Sequence, residues 1–265
     1  MIFRPAQLSL ARLEKSRIVV REWGRNVPSY NETTNLLVQA MSPADRAALM
    51  PHFVRVPLVR GEPIITAGER IEHVCFPERG IATVVATADT GRQTEVGIFG
   101  CEGMSGLSVL LGSDMMPVEA ATQVGGGTAL RIHVDHLTNT IEQSAPLRTL
   151  LLRFCHSFMM QAATSAMANA QCNVGSRIAR WLLMCHDRMG GDAIPLTHQH
   201  LARMVNADRT SITHALHVLE GEHMISATRG SLVIKDRAKL LQLADGTYGR
   251  AEAEYTRLIA PFGKE

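Results

Sequence analysis

The sequence predicts an α+β chain. It should hold an antiparallel β-roll of jelly-roll (double-stranded β-helix) type in its N-terminal half, one long helix after that, and a winged helix-turn-helix near its end. Three observations carry this prediction. From Phe53 to about Val134, short apolar runs alternate with Gly and Pro turns, the pattern of many short antiparallel strands. From Ala145 to about Ala170, Leu147, Leu151, Phe154, Phe158, Ala162, Ser165 and Asn169 step by three or four, the period of one helix face. From Leu196 to Ile234 the chain reads as helix, short turn, second helix and small hairpin. The boundaries that follow are a basic and polar extension (1–34), the β-roll (35–138), the long helix (139–172), the winged helix-turn-helix (173–244) and a C-terminal tail (245–265).

Composition sets the frame. A chain of 265 residues has room for two domains with cores of their own, and 46% apolar against 20% charged residues is the balance of an ordinary globular protein. No window approaches the roughly 20 consecutive apolar residues of a membrane span, so no membrane partner is expected. Met1 to Val20 carries Arg4, Arg12, Glu14, Lys15 and Arg17 without a long apolar run, which is unlike a secretory signal. The five cysteines are scattered, and no two are spaced as C-x-x-C, which points to reduced thiols and a cytoplasmic setting. The net charge is only +2, so any positive surface for nucleic acid must be local.

Element by element, residues 1–34 put six Lys/Arg and two Glu in their first 25 positions and then turn polar, the pattern of a solvated terminus. A helix is expected near Leu36. A second begins at Ser42-Pro43, a capping residue followed by the proline that suits a first helical position. Candidate strands are Phe53–Leu58, Glu62–Thr66, His73–Phe76, Ile81–Thr87, Gln93–Ile98, Val118–Val124 and Thr128–Val134. The glycines at 97, 100, 103 and 106 lack the spacing of a phosphate-loop or dinucleotide fingerprint and read as tight turns, and Gly125-Gly126-Gly127 reads as a hairpin turn. The stripe Leu147, Leu151, Phe154, Phe158, Ala162 suits a helix pair across a two-fold seam, with packing onto the chain's own β-roll as the other option. Val174 to Met189 forms another helix with Ile178, Trp181, Leu182 and Cys185 inward, and Arg177 and Arg180 facing solvent or joining domains.

The last motif carries the chemistry. Thr197 caps the first helix of the pair, Asn206-Ala207 makes the turn, and Asp208 caps the second. Ile212, Ala215, Leu216 and Leu219 then face inward, leaving Arg209, Thr210, Thr213, His214 and His217 outside, all able to hydrogen-bond base edges or phosphates. Two short strands, Ile225–Thr228 and Ser231–Ile234, meet at Arg229-Gly230 as a wing that can rest on a nucleic-acid backbone. Between 196 and 244 there are six Lys/Arg against four Asp/Glu, with five His; where His198, His200, His214 and His217 lie near phosphate, their protonation would tighten binding as pH falls.

The pieces L-T-H-Q-H-L-A, D-R-T-S-I-T-H-A-L-H-V-L-E, M-I-S and the wing resemble the winged helix-turn-helix of the Crp/Fnr family of bacterial transcription regulators. The resemblance runs upstream too, from about Leu36 to Leu243. G-E-P-I-I-T-A-G-E is similar to the early strands of that family's cyclic-nucleotide-binding β-roll, and G-S-R-I-A-R-W-L-L to the first helix of its DNA-binding domain. The resemblance implies a homodimer joined by the long helix, with double-stranded DNA and RNA polymerase as partners. It implies base contacts from Arg209, Thr210, Thr213 and His214, and a phosphate contact from Thr197, to which His198, Ser211, His217 and Arg229 are added as neighbours. Thr210 stands where many relatives have Glu, and His214 where many have a second Arg, so no relative's operator transfers to this chain.

The resemblance also implies an effector pocket at Gly103, Met104, Ser105 and Gly106. The chemistry for cyclic AMP is missing there. Met115, Met116, Pro117 and Val118 stand where an Arg-Ser pair should hold the phosphate, no Arg lies between Arg92 and Arg131, and Glu102, Asp114 and Glu119 would repel an anion. The pocket is therefore read as degenerate and any small-molecule effector as unknown, with a ligand-gated sensor module as the alternative reading. No cofactor is expected. A metal enzyme on a cupin-like barrel is the third reading. It fails on spacing: His52, His73, His133 and His136 supply no tight His pair with an acid on a strand, so neither a metal nor catalysis is expected.

Overall fold

The computed structural model describes residues 33–264; the expected basic extension, up to residue 32, lies outside the described residues. Helix α1 (Leu36–Gln39) starts where Asn35 Oδ1 accepts the Val38 amide, and α2 (Pro43–Leu49) where Ser42 Oγ accepts that of Asp45. Both caps occupy amides that have no partner inside the helix. The roll follows as β1 (Val54–Leu58), β2 (Pro63–Ile65), β3 (His73–Pro77), β4 (Ile81–Thr87) and β5 (Gln93–Phe99). A short helix, α3 (Leu107–Leu110), and then β6 (Glu119–Val124) and β7 (Gly127–His133) complete it. One sheet is ordered β1-β7-β3 and the other β2-β6-β4-β5, all pairs antiparallel. Gly125-Gly126-Gly127 is therefore not a hairpin turn. It carries the chain from β6 in one sheet to β7 in the other.

Helix α4 (Val134–Gln143) leads through the Ser144 cap into α5 (Ala145–Gln171), the expected long helix at 27 residues. Leu147, Leu151 and Phe154 are buried in the same core as Phe76, Phe99, Met104 and Leu130 of the roll. Of the two options open for this stripe, its first half takes packing onto the chain's own roll. Gly97 and Gly103 are likewise not simple turns. A Cβ on Gly97 would lie 2.7 Å from Gln161 Oε1, and one on Gly103 2.2 Å from the Phe154 ring. Both positions stay bare so that α5 can press against the roll.

The C-terminal part contains α6 (Val174–Arg188), β8 (Ala193–Ile194), α7 (His198–Met204), α8 (Arg209–Gly221), β9 (Ile225–Thr228), β10 (Ser231–Ile234), α9 (Arg237–Leu243) and α10 (Arg250–Leu258). The wing is a three-stranded sheet, β8-β10-β9, whose first strand is too short to be legible in the sequence. The tail is not loose. Tyr255 of α10 is buried and donates its hydroxyl to Glu102 O at 2.7 Å, and Arg153 on α5 donates to Leu258 O at 3.0 Å. The helix-turn-helix part is also not hung on a bare linker. Ile81, Ile98 and Val124 of the roll share one hydrophobic core with Trp181, Leu182, Leu201 and Leu216.

Candidate nucleic-acid interface

The interface is built on α7 and α8. Thr197 Oγ1 accepts the His200 amide at 3.2 Å, capping α7 and leaving its hydroxyl proton free for an outside acceptor. Asn206 takes the turn with φ 49°, the left-handed conformation its short polar side chain tolerates. Asp208 Oδ1 accepts the Ser211 amide at 2.9 Å and Oδ2 accepts the Ser211 hydroxyl at 2.6 Å, which holds the Asp208 carboxyl below its usual range. Ile212, Leu216 and Leu219 are at most 2% exposed and fix α8 in the core, so its other face must point outward.

On that outer face Arg209, Thr210, His214 and His217 are exposed, and Thr213 is half-buried. Thr213 Oγ1 donates to Arg209 O at 3.0 Å and sits 3.4 Å from His198 Nδ1, so it is left as an acceptor toward a base amino group. Ser211 has its hydroxyl proton committed to Asp208, and a phosphate contact there would have to displace that cap. Glu220 Oε1 accepts the Ala227 amide at 2.7 Å, tying the end of α8 to the wing. At the wing tip Thr228 pairs with Ser231, Gly230 turns with φ 84°, and Arg229 is exposed.

His200 does not join this face. It is buried at 7% exposure, and desolvation, with the charges of Arg60 and Arg203, pushes its pKa down to about 4. It is therefore withdrawn from the histidines expected to face phosphate. Arg177 stays within its own domain, its Nη1 donating to Asn206 O at 3.1 Å, whereas buried Arg180 joins domains, donating to Thr247 O at 3.0 Å and Gln161 O at 3.3 Å.

The effector loop is closed by its own chain. Asn35 Nδ2 donates to Gly103 O at 2.9 Å, and the Gly103 amide to Gly100 O at 3.1 Å. Ser105 exchanges both its amide and its hydroxyl oxygen with the Cys75 backbone at 2.8 Å. Met104 and Ser105 are each 1% exposed. Two of the loop's amides, those of Gly103 and Ser105, are thus already paired and not offered to a phosphate. Glu102 is buried and ion-paired to Arg188 at 2.8 Å. Burial, with the Glu102 carboxylate beside it, pushes the neighbouring Cys101 thiol up to about 11, so that cysteine is an unreactive thiol.

Residues 176–243 match the family model of the Crp-like helix-turn-helix domain. The chain is 25% identical over 217 residues to the CRP-like cAMP-activated global transcriptional regulator of Mycobacterium tuberculosis, covering 78% of this chain and 96% of that one. It is 24% identical over 203 residues to the global nitrogen regulator of Synechocystis sp., covering 73% and 89%. Its fold is similar to that of a Crp/Fnr-family regulator from Eubacterium rectale, with TM-score 0.62, 17% identity, and 80% and 99% coverage. It is also similar to that of the c-di-GMP responsive global regulator CLP of Xanthomonas campestris, with TM-score 0.59, 18% identity, and 73% and 99% coverage.

Proposed function

We propose that the chain is a transcription regulator of the Crp/Fnr type, a reading supported by its matches to that family, and that it acts as a homodimer reading a two-fold symmetric DNA site with one α8 from each copy. The observation that carries this reading is the sorted α8: its apolar face is locked in the core while Arg209, Thr210 and His214 stand free in solvent. Arg209 supplies the main base contact, because a guanidinium grips guanine through two hydrogen bonds. Thr197, His198, His217 and Arg229 supply phosphate contacts that set the register without reading sequence.

The dimer seam runs along the side of α5 that its own chain leaves bare. Leu152 and Met159 are 40% and 59% exposed, and Ala163 and Ala166 continue that face, small enough for two helices to approach closely. Phe158 and Ala162, from the stripe expected earlier, lie half-buried at its border.

Binding requires no cyclic nucleotide, a reading supported by the paired amides of Gly103 and Ser105, by the lack of any arginine between Arg92 and Arg131, and by the commitment of Arg188 to Glu102. Two named relatives are described as answering to cAMP and to c-di-GMP respectively, so this fold does not dictate the signal.

Selection of bound duplexes from random DNA, with no small molecule added, tests the reading. Enrichment of a palindrome supports it; absence of any enriched site rejects it. On the selected site Arg209→Ala should weaken binding by about 1–3 kcal/mol and blur preference at one position of each half-site. An unchanged affinity would remove Arg209 from the base contacts.

A further inference from the structure

Four of the chain's eleven histidines meet at one edge of the roll, although the sequence scatters them. His52 closes a 3-10 turn before β1, His73 opens β3, His133 ends β7 and His136 lies in the first turn of α4. The β3–β7 register sets His73 directly opposite His133, with ring centroids 5.1 Å apart. His136 lies 6.4 Å from His133 and stacks on His52 at 3.8 Å. His52 and His136 are exposed, the other two half-buried, so none of the four fills the core.

We propose that this patch binds one divalent transition-metal ion that favours imidazole, such as Zn²⁺ or Ni²⁺, through His73, His133 and His136. With a metal–nitrogen bond of about 2 Å, each ring centroid lies about 3 Å from the ion, and two ligands at a tetrahedral angle have centroids about 5 Å apart. The His73–His133 pair already has that separation. Among the described residues no three donors yet surround one point. His136 completes the set by swinging off the face of His52, a rotation its exposure allows. Water takes the remaining position.

The surroundings suit a cation on His133. Its Nδ1 now accepts the Asp135 amide at 3.2 Å and lies 3.5 Å from Asp135 Oδ2. When Nε2 takes the metal, Nδ1 carries the proton and donates it to that carboxylate, the arrangement that orients many metal-bound imidazoles. Glu72 only partly counters the nearby charge of Arg131, which is the stronger of the two at His73.

The test is calorimetric titration of the full chain, free of any histidine tag, with ZnCl₂ and separately with NiCl₂ at about pH 7.5. The expected result is one ion per chain, with affinity lowered about tenfold or more by His73→Gln and by His136→Asn. The control His156→Asn, on the far-removed α5 surface beside Glu254, should bind as the parent does. Cu²⁺ bound in place of Zn²⁺ should show imidazole nitrogen couplings by electron paramagnetic resonance, and they should weaken in the same two variants. Absence of stoichiometric binding overturns the proposal, as does binding that both variants leave unchanged in folded protein. Because neither readout involves DNA, failure here and failure of the regulator reading remain separable.

Discussion

Glu95 shows what the interior asks of a single side chain. It lies 5% exposed at the junction of β5 and α6, and its carboxylate accepts the Trp181 indole N–H at 2.8 Å. Burial pushes its pKa up to about 7, although the Trp181 bond and the charges of Arg180 and Arg188 pull the other way. A carboxyl whose folded pKa is raised binds its proton more tightly folded than unfolded. Its contribution is therefore fully present below the ordinary carboxylate range and is lost as pH rises toward 7. Between about pH 4.5 and 7.5 that loss should reach roughly 3 kcal/mol, measurable by urea unfolding at a series of pH values. Glu95→Gln keeps an acceptor for the indole and should flatten that part of the profile; an unchanged slope would mean that another group titrates there. Nothing along the chain marks this residue's role, because a glutamate inside an alternating strand reads as solvent-facing until α6 covers it. Asp208 and Thr197 were legible, since a cap is a local bond within three residues, and both caps stand as read.

Among the elements, α5 is the one whose meaning the sequence left divided. A stripe at helical spacing is equally satisfied by a partner copy or by a sheet of the same chain, since both only remove apolar surface from water. The three-dimensional answer divides the helix: Leu147, Leu151 and Phe154 face the roll, and Leu152 and Met159 face outward. If the proposed seam is right, Met159→Glu should leave the fold intact and give a monomer in sedimentation velocity where the parent gives a dimer, because the two new charges would meet across the two-fold. A dimer that persists would move the seam to another surface. Helix α10 escaped sequence reading for a related reason. Its partners are a carbonyl at Glu102 and the flank of α5, both far away along the chain. The histidine patch shares that logic, because only the β3–β7 register makes neighbours of His73 and His133.

Across the whole molecule, the roll and the reading domain are one mechanical body. They share the core around Ile81, Ile98, Val124 and Trp181, and the ion pair of Glu102 with Arg188 is buried between them at 2.8 Å. Burial works against the Arg188 charge, but the carboxylates of Glu102, Glu252 and Asp187 outweigh it and keep the guanidinium protonated. Arg188→Met should cost about 3–5 kcal/mol in unfolding free energy, because it strands Glu102 without its counter-charge. Scanning calorimetry of the parent should give one transition whose calorimetric and van't Hoff enthalpies agree, whereas two transitions would show that the halves fold independently. The shared core also bears on signalling. Separating the halves would wet three aliphatic side chains at about 1.5–3 kcal/mol each, so fewer than about one molecule in a thousand rests in the parted form. A messenger that worked by turning the reading domain would need at least about a thousandfold preference for that rare form to populate it evenly. With such odds against rotation, a regulator of the proposed kind would be governed most simply by supply: the filling of its sites would rise and fall with the number of copies made.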